Sequence, residues 1–253
     1  MTSSAEQNTR GPQPGASARR RLSDRFMLQA SVSAADQLSR SMRRIRLDIS
    51  GLSGLGWKAG QQIRVQVGSA PGAMDWLLGQ LRTYSVWELG STYLDVVVLD
   101  HGDGPGAVWA RGAEPGQTVH FLKPQGDFVL RADATDHVFI GEETASVPFG
   151  PMLRALTADQ RGLAIVEVDD PADQIPLTGD VRWHHRDGRS AARSESLVGA
   201  VRAAELPATG VAYVAGEART IQLVRTHLVE DRGWSRRDVV TKPFWTPGKK
   251  GLE

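Results

Sequence analysis

The sequence predicts a six-stranded antiparallel β-barrel followed by a parallel α/β domain, and two observations lead to this fold class. In the first half of the chain, short runs of alternating apolar residues are separated by Gly, Pro and Asp, which is typical of a small barrel. From His137 onwards, apolar strands alternate with helical segments, which indicates βαβ units and a parallel sheet. We expect a disordered leader over residues 1–22, the barrel over 23–132 and the α/β domain over 133–253.

The barrel strands are predicted from residues that alternate between two faces. Ile45, Leu47 and Ile49 share one face of an extended segment, and Ile63 and Val65 share a face of the next one. A short helix, starting near residue 106 and ending by residue 112, interrupts the strands. The six predicted strands are residues 43–49, 62–67, 81–88, 93–99, 119–122 and 127–130.

In the second half of the chain, predicted strands alternate with predicted helices. Ligands of open parallel sheets bind beyond the carboxyl ends of the strands. The turns that begin at Gly141 and Gly216 are expected at that edge. The predicted strands are residues 138–140, 163–168, 181–184, 211–214 and 238–241, and the predicted helices are residues 145–156, 190–204 and 220–232.

Composition excludes several classes of function. The chain has 253 residues, 40% hydrophobic and 23% charged, which is enough for two ordinary globular domains. A net charge of +1 gives no general electrostatic reason to bind nucleic acid or an anionic membrane. With no cysteine, disulfides and thiolate metal sites are excluded, and an electron carrier must be a bound cofactor.

The sequence also leads to expectations about localisation, metal binding and oligomeric state. No apolar run approaches the roughly 20 residues that span a bilayer, and residues 1–21 lack the apolar segment of a secretory signal. We therefore expect a cytoplasmic protein that does not bind membranes. Adjacent His184 and His185 point to opposite faces of a strand, so we expect no metal site. We expect a monomer or a weak oligomer.

The segment Arg82-Thr83-Tyr84-Ser85 is the most informative part of the chain. On a strand, Arg82 and Tyr84 project to one face and Ser85 to the other. A forked guanidinium suits a pyrophosphate, and an aromatic ring can stack on a second ring system. These are the groups that a flavin dinucleotide needs, so we predict bound FAD; an ordinary barrel strand is the alternative.

A glycine-rich loop follows the next predicted strand and enters the short helix. Such a loop offers clustered backbone N–H donors to phosphate oxygens, although the same glycines also suit a plain turn. His101, the first residue of the loop, either contacts the flavin or caps the strand. The candidate cofactor-binding residues here are His101, Gly102, Gly104, Pro105, Gly106, Ala107 and Trp109.

Together with three further segments, these motifs resemble the siderophore-interacting family of FAD-dependent ferric-siderophore reductases. Residues 139–148 resemble its Gly-Asp-Glu-Thr-Ala-Leu-Pro segment, residues 214–233 its Ala-Gly-Glu-Ala run, and residues 244–248 its closing Tyr-Trp-Arg-x-Gly. The resemblance implies a ferredoxin-reductase-like fold, in which an FAD-binding barrel precedes a Rossmann-like domain. It adds Glu143 and Thr144 to the cofactor-binding residues.

The resemblance also implies a nicotinamide-dinucleotide site, with NADH or NADPH as electron donor. Gly141, Gly216 and Glu217 fall in the segments concerned. The residues themselves form a poor phosphate cradle, because the first segment has one glycine and two carboxylates. Asp169 and Asp170 end a predicted strand, where they could accept ribose hydroxyls and repel a 2′-phosphate, which favours NADH.

The C-terminal residues are basic. A solvated surface is the ordinary interpretation, but the resemblance implies a pocket for an anionic ferric siderophore beside the flavin. The candidate substrate residues are Lys242, Trp245, Lys249 and Lys250.

The sequence predicts a reductase that moves electrons from NAD(P)H through FAD to a ferric siderophore, without a catalytic side chain. The family arginines are replaced by Trp87 and Thr246, and residues 146–150 also depart from the family pattern. These changes suggest a more apolar pocket. Two alternatives therefore stay open, a tailoring reaction on an organic natural product and a non-catalytic siderophore binder.

Overall fold

The computed structural model describes residues 27–68 and 81–249, so the predicted leader and Lys250 lie outside the described residues. The first part is a closed six-stranded antiparallel barrel, as the sequence predicts, and its strand order is β1-β2-β5-β4-β3-β6. Helix α1 (Pro105–Arg111) lies between β5 and β6. The barrel strands are β1 (Leu28–Gln37), β2 (Met42–Asp48), β3 (Gln62–Gln66), β4 (Leu81–Leu89), β5 (Tyr93–Leu99) and β6 (Thr118–Gln125).

The predicted number of barrel strands is right, but one member is wrong. Strand β1 was not predicted, and its burial pattern is weak because only Ala30 and Val32 point fully into the core. Residues 127–130, predicted as a strand, have no strand structure. Phe128 leaves the barrel and packs edge-on against the ring of Tyr213, with 5.7 Å between ring centroids. The apolar pattern there reflects burial in the second domain.

The second part is a five-stranded parallel sheet with strand order β11-β10-β7-β8-β9, which confirms the predicted fold class. The chain runs outward from β7 to β9 and then returns to the other side of β7. The topological switch point therefore lies between β7 and β10. The elements are β7 (Asp136–Glu142), α2 (Glu143–Arg154), β8 (Arg161–Val168), β9 (Asp180–His185), α3 (Glu195–Ala203), β10 (Val211–Glu217), α4 (Ala218–Thr226) and β11 (Val239–Trp245).

Trp87 fixes the barrel to the α/β domain. Its side chain is 5% exposed and lies in a cluster with Val147 of α2. A Cβ at Gly150 would collide with the indole, and the Arg154 guanidinium lies 4.6 Å from the ring centroid while donating to the Trp87 carbonyl at 2.6 Å. Trp87 and Gly150, two departures from the family pattern, are thus explained by packing between the domains, which removes them as grounds for an apolar pocket.

No helix in the described parts of the chain is long and apolar enough to cross a bilayer.

Candidate cofactor site

Arg82 and Tyr84 lie on the same face of β4, as alternation predicts, and both face the start of α1. A Cβ built at Gly106 would collide with Tyr84 Oη and lie 3.9 Å from Arg82 Cγ. Only glycine leaves this approach open. Of the two other motif residues, Thr83 is exposed and Ser85 is half-buried.

The phenol of Tyr84 carries a buried hydroxyl that has no hydrogen-bond partner within the described part of the chain. Its ring is stacked on Trp109, with 5.5 Å between centroids and 26° between planes. Burial raises the pKa of Tyr84 above its ordinary value, so the group is a neutral donor. A buried polar group left unpaired costs about 1–3 kcal/mol, which a bound ligand with a polar atom here would recover.

The glycine loop ahead of α1 is open. Nothing lies within 4 Å of a Cβ built at Gly102 or Gly104, and the loop is exposed from His101 to Pro105. Gly104 is the N-cap of α1 and provides no side-chain hydrogen bond, and the first turn has no acidic residue. The loop carries one carboxylate, Asp103, which is fully exposed and lies 3.3 Å from Arg111 Nη2.

Two contacts define the ends of this loop. Arg111 donates to the Gly102 carbonyl at 2.9 Å and to Asp100 Oδ1 at 2.5 Å. These two hydrogen bonds connect the loop to the last turn of α1. His101 lies with Nδ1 3.4 Å from the Leu99 carbonyl oxygen, the position of a strand cap, and its side chain is exposed.

These features fit an FAD molecule. The residues that would hold it are Arg82 and the loop from Gly102 to Ala107 at its phosphates, and Tyr84 at its ring system. Trp109 lies in the barrel core and stacks on the Tyr84 ring, so it would act on a bound cofactor through Tyr84.

At the carboxyl edge of the parallel sheet, glutamate side chains cap the N-termini of two helices. Glu142 is 1% exposed and caps α2, accepting from Thr144 N at 2.8 Å and from the Thr144 hydroxyl. The Trp245 indole N–H also donates to Glu142 Oε1, at 3.0 Å. Burial, with the adjacent charge of Glu143, raises the pKa of Glu142 to about 7.

Glu217 plays the same part on the other side of the switch point. It is fully buried and accepts from Thr220 N at 2.9 Å and from Arg193 N at 3.1 Å. Thr246 Oγ1 donates to its other oxygen at 3.2 Å. Burial acts to raise the pKa of Glu217, but backbone donors, among them Arg219, outweigh it, and the pKa lies below its ordinary value.

Other predicted site residues at this edge are also engaged within the protein. Glu143 forms a buried bidentate ion pair with Arg186. Asp169 accepts from Gly188 N at 2.6 Å and from Arg40 Nη2 at 3.3 Å. Asp170 caps a short turn through Ala172 N at 2.8 Å.

The two predicted glycines of the dinucleotide site serve packing. A Cβ at Gly141 would collide with the Ala215 carbonyl and with Ala145 of α2. Gly216 has φ +120°, in the region that favours glycine, and a Cβ there would lie 2.5 Å from Glu142 Oε1.

The predicted substrate residues that the structure describes lie on or after β11. Lys242 and Trp245 are half-buried, and Lys249 is exposed. Arg236 and Arg237, in the short turn before β11, are exposed. The described residues include no group of three or more His, Asp or Glu side chains that could hold a metal ion.

Comparison with known proteins decides the family. Residues 134–248 match the model for siderophore-interacting protein, and residues 77–128 match that for the siderophore-interacting FAD-binding domain. The chain belongs to the siderophore-interacting protein family. This confirms the resemblance on which the sequence analysis relied.

Curated relatives of this siderophore-interacting protein are distant. An uncharacterized protein of Mycobacterium tuberculosis is 30% identical over 169 residues, which cover 60% of each chain. The ferric vibriobactin reductase ViuB of Vibrio cholerae is 27% identical over 178 residues, 66% of this chain and 65% of ViuB. The chain thus spans about three fifths of the first of these relatives.

Solved structures show the same fold. A siderophore utilization protein from T. fusca has a TM-score of 0.77 at 24% identity, covering 90% of this chain and 95% of that one. Phthalate dioxygenase reductase has a TM-score of 0.70 at 18% identity, covering 89% of this chain and 70% of that one. The siderophore-interacting protein therefore has a ferredoxin-reductase-like fold.

Proposed function

We propose that this protein binds FAD in its barrel and uses it to reduce a ferric siderophore. The observation that carries the proposal is the buried Tyr84 hydroxyl, which has no partner among the described residues and lies beside Gly106 at an open loop whose helix start has no acidic residue. Membership of the family and the likeness to a ferric vibriobactin reductase support the same function. Bound flavin supplies the chemistry, because it accepts two electrons together and can release them singly.

The task of the side chains is to bind and orient. Arg82 brings a permanent positive charge to the phosphates, and the glycine loop adds backbone N–H donors without side-chain bulk. Tyr84 and Ser85 would orient the ring system from neighbouring positions of β4. No side chain needs to take or give a proton in a transfer of electrons to iron.

The substrate side follows from charge. Arg236, Arg237, Lys242 and Lys249 place positive charge before and along β11 and beyond it. A ferric chelate with several negative charges is attracted to such a surface. Reduction then releases the metal, because hard oxygen donors hold Fe(III) more strongly than Fe(II).

The electron donor is a separate question. NADH or NADPH is the donor that the sequence analysis expects, but the residues at the carboxyl edge of the sheet do not fit a dinucleotide. Glu142 and Glu217 occupy the helix starts, and Asp169 is bound by Gly188 and Arg40. No step is assigned to a nicotinamide at this edge.

The test separates flavin chemistry from the donor. Purified protein is loaded with FAD, reduced anaerobically with dithionite, freed of excess reductant and mixed with a ferric catecholate. We expect the oxidised flavin bands to return as Fe(II) is trapped by a chelator. Flavin that stays reduced with every chelate tested would instead favour a reaction on an organic natural product. Failure to bind FAD would favour a siderophore binder without cofactor.

A further inference from the structure

The crevice at the switch point of the sheet is filled by the protein's own carboxylates. Helices α2 and α4 begin on either side of it, and each has a glutamate as its N-cap, Glu142 and Glu217. Both side chains are at most 1% exposed. In a dinucleotide-binding fold, the backbone N–H groups at such a helix start face the pyrophosphate.

Those donors are already used in this protein. Thr144 N and Thr220 N, the groups that a phosphate would approach, donate to the capping carboxylates at 2.8 and 2.9 Å. The open space above Gly216 is also taken, because Glu142 Oε1 lies 2.5 Å from where its Cβ would be. A pyrophosphate would meet two buried carboxyl groups, and these two N–H donors are no longer available to it.

At the ribose end of the crevice, an arginine from the barrel contacts the aspartates. Arg40, in the β1–β2 turn, binds Asp173 through two hydrogen bonds and lies 3.3 Å from Asp169 and 3.7 Å from Asp170. Its backbone N–H donates to the Ala172 carbonyl at 2.9 Å. The aspartates that the sequence offers as ribose acceptors are therefore partners of an arginine.

We propose that Glu142 and Glu217 exclude the pyrophosphate of a nicotinamide dinucleotide, so that this protein takes its reductant without recognising phosphates. The inference rests on the proposed function for there being a reductant, but the exclusion is a binding property of the α/β domain. Reduced donors would then be selected at the barrel, by access to the cofactor.

The first experiment measures binding without any redox chemistry. ADP-ribose, which carries the adenosine and the pyrophosphate, is titrated into the purified full chain by calorimetry. We expect a Kd of about 1 mM or weaker for the wild type. The titration is done above pH 7, where Glu142 is ionised. The double variant Glu142→Gln with Glu217→Gln keeps an oxygen acceptor at each cap but removes both charges, and we expect its affinity to rise by about tenfold or more.

Glu114→Gln, an exposed carboxylate in the turn before β6, is the matched charge control and should leave the titration unchanged. Micromolar binding of ADP-ribose by the wild type would overturn the proposal. So would a folded double variant that binds no better than the wild type. Since the titration needs no flavin, its outcome is independent of whether the protein reduces iron.

A second experiment covers the case in which the double variant does not fold. FAD-loaded wild type is reduced anaerobically by NADH, by NADPH and by N-benzyl-1,4-dihydronicotinamide, which has no phosphate. We expect three rate constants within about threefold of one another after correction for the intrinsic reactivity of each donor with free FAD. Saturation with NADH and a preference for it of about 100-fold would contradict the exclusion.

Discussion

The barrel and the α/β domain differ in whether side chains cap the helix starts at which a ligand could bind. In the barrel, the loop before α1 has no capping side chain and Tyr84 Oη has no partner among the described residues. In the α/β domain, the starts of α2, α3 and α4 are each capped by a side chain, Glu142, Ser194 and Glu217. The helix start of the barrel is therefore uncapped by any side chain, whereas these three helix starts of the α/β domain are capped.

The difference teaches how to locate a site within a shared fold. A ferredoxin-reductase-like fold offers two places where a helix start could meet phosphate, but the fold alone does not say which is in use. The helix starts distinguish the two places, because the one in the barrel has no side-chain cap and lies beside the unpaired Tyr84 hydroxyl, whereas those in the α/β domain are capped. This contrast favours the barrel.

The largest expected effect is from Gly106→Ala, whose Cβ would collide with Tyr84 Oη. We expect FAD affinity to fall by about 100-fold or more, since the ring and the loop can no longer keep their positions. Fluorescence titration with FAD measures this. Gly199→Ala on α3, where a Cβ meets nothing within 4 Å, is the control and should bind as the wild type does.

Arg82→Ala is expected to weaken FAD binding by roughly 1.5–3 kcal/mol, the range for one hydrogen bond to a charged group. In the same titration this corresponds to a Kd about 10- to 150-fold higher. Arg225→Ala, an exposed arginine at the end of α4, controls for loss of charge. Equal affinities for the two variants would remove Arg82 from the site.

The two capping glutamates allow a comparison inside the α/β domain. The pKa of Glu142 is raised from 4.5 to about 7, so its ionisation destabilises the fold as pH rises through that window. The stability advantage of Glu142→Gln over the wild type should therefore grow as pH rises from 4.5 and be complete above 7, at about 3 kcal/mol. Thermal melts at several pH values check this, and a difference independent of pH would contradict it.

Glu217 has the opposite sign. Its pKa lies below 4.5, so the ionised form stabilises the fold above that value and the contribution is lost as pH falls. Glu217→Gln should cost stability near neutral pH, and the cost should shrink in acid. The same melts measure it. If both glutamine variants shift in the same direction, the contrast between the caps is wrong.

Tyr84→Phe should have the smallest effect. Removing the unpartnered hydroxyl should stabilise the flavin-free protein by about 1 kcal/mol, and it should weaken FAD binding if the hydroxyl contacts the cofactor. Denaturant melts with and without FAD separate the two. Loss of stability without FAD would mean that the hydroxyl is already satisfied.

The local parts of this structure were predictable from sequence. Alternation on β4 placed Arg82 beside Tyr84, and the glycines placed a turn before α1. Contacts between distant segments were not predictable: Arg40 meets Asp173 across 133 positions, and Arg186 meets Glu143 across 43. A charged residue in sequence does not reveal its partners within the protein, and the contacts of Asp169 with Gly188 and Arg40 could not be predicted.

Packing between the domains could not be predicted from the sequence either. Trp87 looked like a change in a binding pocket, but it contacts Gly150 between the domains. Glycine at 150 is the complementary signal, because a large residue in one segment and a small one in another fit only when they meet. One sequence alone does not pair such positions.

The most direct measurement is an equilibrium titration of the purified wild-type chain with FAD, followed by the visible absorbance and fluorescence of the flavin. We expect one FAD per chain, with a shifted visible band and strongly changed emission as the flavin leaves water. A titration in which the flavin spectrum stays that of free FAD, with folded protein in excess, would contradict the assignment of the barrel as the cofactor site.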